Sequence, residues 1–103
     1  LIFTISNEGY LYVINKKEGN IIRVNYLFKN YKEKIRKDIK STGFIIGKTN
    51  LYLTNSNGDI IKVDLSSGNI LKTEKVSSKL ISEPFVFNQN LFLISNGSIV
   101  QYD

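Results

Sequence analysis

One short unit comes round three times in this chain, and that recurrence limits what the chain can fold into more than any other feature. "FTISNEGYLYVINKKEGNIIRV" (3–24) aligns on its glycines with "LTNSNGDIIKVDLSSGNILKT" (53–73) and with "LISNGSIVQYD" (93–103). A turn glycine recurs at Gly9, Gly58 and Gly97, and a second at Gly19 and Gly68. Each unit sets two short stretches of β-branched and aromatic residues around "NG" or "NEG". That is a strong hairpin signal, because the turn needs positive φ and Asn or Gly supplies it cheaply. The turn of the first copy reads as one residue longer, which predicts a bulged loop there. "KKEGN" and "LSSGN" make a second turn into a third strand, and "GFIIGKTNLYLT" and "PFVFNQNLFLIS" each read as two strands around a polar turn. Gly43 and Pro84 are placed just ahead of the strands "FIIG" and "FVFN", where a proline's missing N–H costs little.

The copies are 49 and 39 residues apart, Gly9 to Gly58 and Gly58 to Gly97. That is close to the period of a four-stranded propeller blade, about 40–50 residues. Strand faces follow a period of two. Tyr10, Tyr12 and Ile14 share one face and Leu11 and Val13 the other, with Ile61 and Val63 matching the first set and Ile60 and Lys62 the second. Apolar residues on both faces predict sheets sandwiched between sheets. The expected fold class is therefore all-β, a β-propeller fragment of four-stranded antiparallel blades. A partial blade is expected over 1–28, a blade over 41–76 and a partial last blade over 82–103. The opening "LIFTIS" reads as a strand entered midway, so any targeting segment is expected upstream. The last copy stops at Asp103 after its third strand, and a strand from upstream is expected to complete that blade and close the ring. Unpaired edges and uncovered faces invite association, so self-association of the piece alone is expected.

Residues 29–40 interrupt the pattern. They hold six basic residues against two acidic ones, which concentrates most of the net charge of +5. Tyr31, Ile35 and Ile39 recur every four residues, so the insert reads either as a short amphipathic helix or as an extended basic loop. Lys32, Lys34, Arg36, Lys37 and Lys40 are the candidate partner-contact residues, the alternative being a solvated loop. Nucleic-acid readers carry far denser basic stripes, so no nucleic-acid partner is expected.

The chain has no Cys and no His. That removes disulfides, thiolate metal sites, the usual general base and any Ser–His or Cys–His nucleophile pair. No apolar run approaches the roughly 20 residues of a spanning helix. Asp64 and Asp103, with Asn15 in the first copy, sit at matching repeat positions and read as turn-stabilising side chains. "NSNGD" (55–59) lacks the Gly and Glu that an EF-hand loop needs at its sixth and twelfth positions, held here by Ile60 and Ser66. No catalytic, cofactor or metal residues are expected.

"GDIIKVDLSSGNILKTEKV" followed by "SEPFVFNQNLFLISNGSIVQYD" resembles the repeat of PQQ-like β-propellers, whose blades end "ALD-x-x-T-G-x-x-x-W". Residues 58–103 are most similar to the end of the BamB family, propeller lipoproteins of the outer-membrane β-barrel assembly machinery. The first repeat is covered more loosely and the insert not at all. Two departures stand out. The docking Trp is Arg23 in the first copy and Lys72 in the second, and the Ala of "ALD" is Lys62. The resemblance implies a non-enzymatic scaffold at the periplasmic face of the outer membrane, held through a lipid anchor upstream, with barrel-assembly subunits as protein partners. Contacts to the barrel-forming subunit in that family lie on loops of earlier blades. The alternatives are a PQQ-dependent quinoprotein dehydrogenase fragment, which would need calcium, a catalytic Asp and aromatic stacking, or a generic propeller interaction module.

Overall fold

Turn chemistry decides where each strand reverses. In the computed structural model, which describes residues 1–78 and 81–102, the chain forms three antiparallel meanders. The first is β1 (Ile2–Ile5), β2 (Tyr10–Ile14) and β3 (Ile21–Tyr26); one helical turn, α1 (Glu33–Arg36), follows. The second sheet is β4 (Ser41–Ile46), β5 (Asn50–Asn55), β6 (Asp59–Asp64) and β7 (Ile70–Lys75). The third is β8 (Phe85–Phe87), β9 (Asn90–Ser95) and β10 (Ser98–Tyr102). Asp103, together with the expectation that an upstream strand completes the last blade, lies outside the described residues.

Gly9, Gly58 and Gly97 take φ of 91°, 88° and 77°. The expected extra residue in the first turn is not there. Ile5 pairs with Leu11 and Thr54 with Ile60, so the first two loops have equal length. In each the glycine N–H donates to a carbonyl three residues back, to Ser6 O and to Asn55 O. The third hairpin alone of these repeats has the two-residue Asn-Gly turn, Asn96–Gly97 between the paired Ser95 and Ser98.

Both long sheets carry a β-bulge at the same repeat position. Pairing shifts between Val13 and Ile14 against β3, and between Lys62 and Val63 against β7. The extra residues are Ile22 and Leu71, both exposed. Arg23 and Lys72 follow those bulges, and the added local twist re-aims them.

The sheets stack in sequence order. Leu11 of β2 shares a fully buried cluster with Leu51, Leu53, Ile61 and Val63 of the second sheet, joined by Leu27, Phe28 and Ile39. On the far side of the second sheet, Ile60 packs with Ile81 and Leu93 in a smaller cluster that takes in Tyr52, Val100 and Tyr102. The central sheet is thus covered on both faces, which explains why β6 is apolar on both. Fully burying one such Leu or Ile contributes about 1.5–3 kcal/mol. The outward faces of the end sheets stay exposed: Ile22 and Val24 on one, Phe87, Ile94 and Ile99 on the other. Gly43 lies inside β4 at a bulge, not ahead of the strand. A Cβ there would sit 2.1 Å from Cβ of Glu83, so glycine is what lets the 81–84 segment cross β4.

Candidate protein-interaction surface

The junction between the first two sheets is made by a side chain that the repeat pattern marked as a loss. Arg23 forks its guanidinium onto main-chain carbonyls of the β6–β7 turn, Nη1 to Ser66 O at 2.7 Å and Nη2 to Leu65 O at 2.9 Å. Its Nε donates to Asn25 Oδ1 at 2.9 Å, which holds the fork flat. Asn25 in turn lies against Gly68, where a Cβ would come within 2.2 Å of Oδ1. A polar clamp therefore stands at the position where the PQQ-like repeat carries its docking Trp. The planar five-donor guanidinium suits two carbonyls at once in a way that a lysine does not.

The insert is ordered by three anchors. Ile39 is buried in the main cluster and Tyr31 packs against it. The Tyr31 hydroxyl donates to Asp59 Oδ2 and accepts from Asn55 Nδ2 at 3.3 Å, which ties the insert to the β5–β6 turn. Asp59 is itself buried, with Lys75 Nζ 3.0 Å from Oδ1 and Asn57 Nδ2 donating to Oδ2. Burial, and then the hydrogen bond to Asp59, hold the Tyr31 phenol well above its usual range. Neither sequence reading of the insert holds alone: one helical turn forms, and Tyr31 and Ile39 point inward while Ile35 is exposed.

The five candidate contact residues divide. Arg36 is spent on the insert, its Nε donating to Tyr31 O at 2.8 Å and Nη2 to Lys29 O at 2.9 Å, over the Tyr26 ring. Lys32, Lys34, Lys37 and Lys40 are exposed, with the exposed Glu33 and Asp38 among them in sequence.

The repeat's polar positions serve the turns. Asn15 Oδ1 accepts from the N–H of Lys17 at 2.9 Å, and Asp64 Oδ2 accepts from Ser66 Oγ, Ser67 Oγ and Ser67 N. The Ser67 and Ser66 hydroxyls lower the Asp64 pKa. These side chains stabilise loops in separate sheets and do not converge. Among the described residues no three carboxylates gather as a metal cluster would require. "NSNGD" is the β5–β6 turn, with its Asp engaged by Tyr31, Asn57 and Lys75.

A second feature escaped the sequence reading. Between the second and third sheets runs a cleft of about 860 Å³ whose lining includes Lys48, Lys62 and Lys72 together with Tyr52 and Tyr102. Lys62 and Lys72 occupy the Ala and Trp positions of the family repeat, so both were visible as departures. Their facing was not, since it depends on the bulge.

No family model and no curated protein matches the chain. Among solved structures, the β-propeller domain of Cps50 (Swd1) from Myceliophteria thermophila is similar, with a TM-score of 0.57 at 11% sequence identity. The alignment covers 91% of this chain and 45% of that one, so the chain spans less than half of that domain's length. The fold is that of part of a β-propeller. The likeness is one of fold and does not extend to the PQQ-like or BamB blade type.

Proposed function

We propose that this chain belongs to a non-enzymatic protein-binding scaffold. The observation that carries the reading is the insert: Tyr31 and Ile39 fasten it to two sheets, so Lys32, Lys34, Lys37 and Lys40 are displayed from a rigid base instead of a floppy loop. Preorganised side chains lose less freedom on binding, and four cations carried on one anchored segment favour an acidic partner surface. Reversing three charges together (Lys32→Glu, Lys34→Glu, Lys37→Glu) is expected to abolish co-purification of the partner and leave the unfolding midpoint within about 0.5 kcal/mol of wild type, as surface substitutions do. Unchanged co-purification counts against the insert as the contact surface.

The finer reading is a BamB-like subunit acting at the periplasmic face of the outer membrane. What supports it is the run of repeat residues over 58–103 of the sequence. Fractionation of cells producing the full-length protein, with co-purification of barrel-assembly subunits, tests it; a protein found away from the outer membrane and without those subunits argues for a propeller interaction module of another kind.

A further inference from the structure

We propose that the cleft between the second and third sheets receives an acidic peptide segment of a partner protein, its apolar residue at the Ile45 end and its carboxylate at the Lys62–Lys72 end. The proposal rests on the protein-binding reading and gives the partner a chemistry.

The cleft floor is one cross-strand row. Ile45 pairs with Tyr52, Tyr52 with Lys62 and Lys62 with Lys72, so four side chains on one face cross β4, β5, β6 and β7 in order. Three strand spacings make the row roughly 14 Å long, about the reach of four extended residues. Its character changes along its length, from aliphatic on β4, through a phenol, to two ammonium groups on β6 and β7. Val86 and Leu91 of the third sheet face the aliphatic end, and Tyr102 reaches to Glu74 beside Lys72.

The two lysines oppose each other directly, an arrangement that destabilises a sheet when both are charged. Glu74 answers Lys72 at 3.2 Å. Lys62 is half-buried and makes no ion pair among the described residues. A carboxylate between the two would relieve the repulsion and gain charge-assisted hydrogen bonds. Lys48, at the β4–β5 turn, adds a third cation at the rim.

The shape favours a peptide over an enclosed small molecule. Lys48, Val86, Gln89 and Asn90 are all exposed, so the groove lies open along its rim, whereas small-ligand sites bury most of their ligand. The tyrosine pair is edge-on, Tyr52 to Tyr102 at 68° and 6.1 Å, and offers no flat platform for stacked bases.

Fluorescence anisotropy on the whole chain tests this with three labelled probes: an octapeptide with leucine followed by two glutamates, the same peptide with glutamines, and an oligothymidylate. The glutamate peptide is expected to bind, with affinity roughly tenfold weaker for the glutamine peptide and for Lys62→Glu, a step of about 1.4 kcal/mol. Lys48→Glu, on an exposed turn, keeps the test alive should Lys62→Glu unfold, and is expected to weaken binding about threefold. Lys16→Glu, on the exposed turn between β2 and β3, is expected to change nothing. Binding that is absent, equal for the glutamine peptide, stronger for the oligothymidylate, or lost with Lys16→Glu but not with the cleft variants overturns the proposal. If the partner still co-purifies with wild type while the glutamate peptide does not bind, the cleft assignment fails and the scaffold reading survives.

Discussion

Arg23 Nη2 lies 2.9 Å from the carbonyl oxygen of Leu65, 42 residues further along the chain, and with its neighbour bond to Ser66 this joins the first sheet to the second. Two charge-assisted bonds to carbonyls are lost in Arg23→Ala, and the part-buried Leu65 carbonyl loses that donor. A loss of about 1–3 kcal/mol is expected, read as a lower urea midpoint. Arg23→Lys is expected to recover less than half, because an ammonium cannot reproduce the fork.

The Tyr31 hydroxyl is the hinge-pin of the insert. Tyr31→Phe leaves Asp59 with Lys75 and Asn57 but strips Asn55 of its partner, and a cost of about 1–2 kcal/mol is expected. Limited trypsin digestion at Lys32, Lys34 and Lys37 should then quicken relative to cutting elsewhere. Ile39→Ala removes the buried anchor and is expected to cost about 2–5 kcal/mol.

One group on the acid side and one on the alkaline side give testable pH responses. Asp64 titrates below its ordinary 3.8 in the folded chain because Ser67 and Ser66 donate to it. Its contribution is present above that value and is lost as pH falls through the lower folded pKa. Asp64→Asn should flatten the acid side of the stability curve. Tyr102 is pushed up to about 12 from 10.0, by burial first and by Glu74 second. A raised pKa gives stability that is full below pH 10 and declines as pH rises toward 12. Absorbance titration of tyrosinate should lose a component near pH 12 in Tyr102→Phe.

The uncovered outer faces predict association. Val24 is 48% exposed and Ile99 69% exposed on opposite ends of the stack, and apolar area left in water forfeits about 25 cal/mol per Å². Light scattering at rising concentration should show growth, and Val24→Lys with Ile99→Lys should suppress it. A wild type that stays monodisperse would contradict the expectation.

Much of this architecture could be read from the residues alone. Gly9, Gly58 and Gly97 were placed correctly in positive-φ turns, and the double-sided apolar pattern of "DIIKVD" announced a sheet covered on both faces. Loop length was not legible, because a dipeptide does not state its register: Asn57–Gly58 closes a four-residue turn, while Asn96–Gly97 is itself the turn. Gly43 was misplaced since its reason, Glu83, is forty residues away. Arg23 looked like a missing ring, whereas the structure makes it a clamp whose acceptors are backbone atoms, which no side-chain pattern records. Lys62 and Lys72 were each noticed, but only the bulge that leaves Leu71 out of register sets them opposite one another.

The two seams flanking the central sheet are unequal. One is filled by eight buried side chains and fastened by Arg23, whereas the other rests on Ile60, Ile81 and Leu93 beside the open cleft. Opening should therefore be hierarchical, with β8–β10 peeling away at low free energy while β1–β7 persists as one cooperative body. Amides of Leu93 and Val100 would exchange with deuterium well before those of Leu53 and Ile61, and the weaker seam would be the natural place for a partner to wedge in and be gripped as it closes.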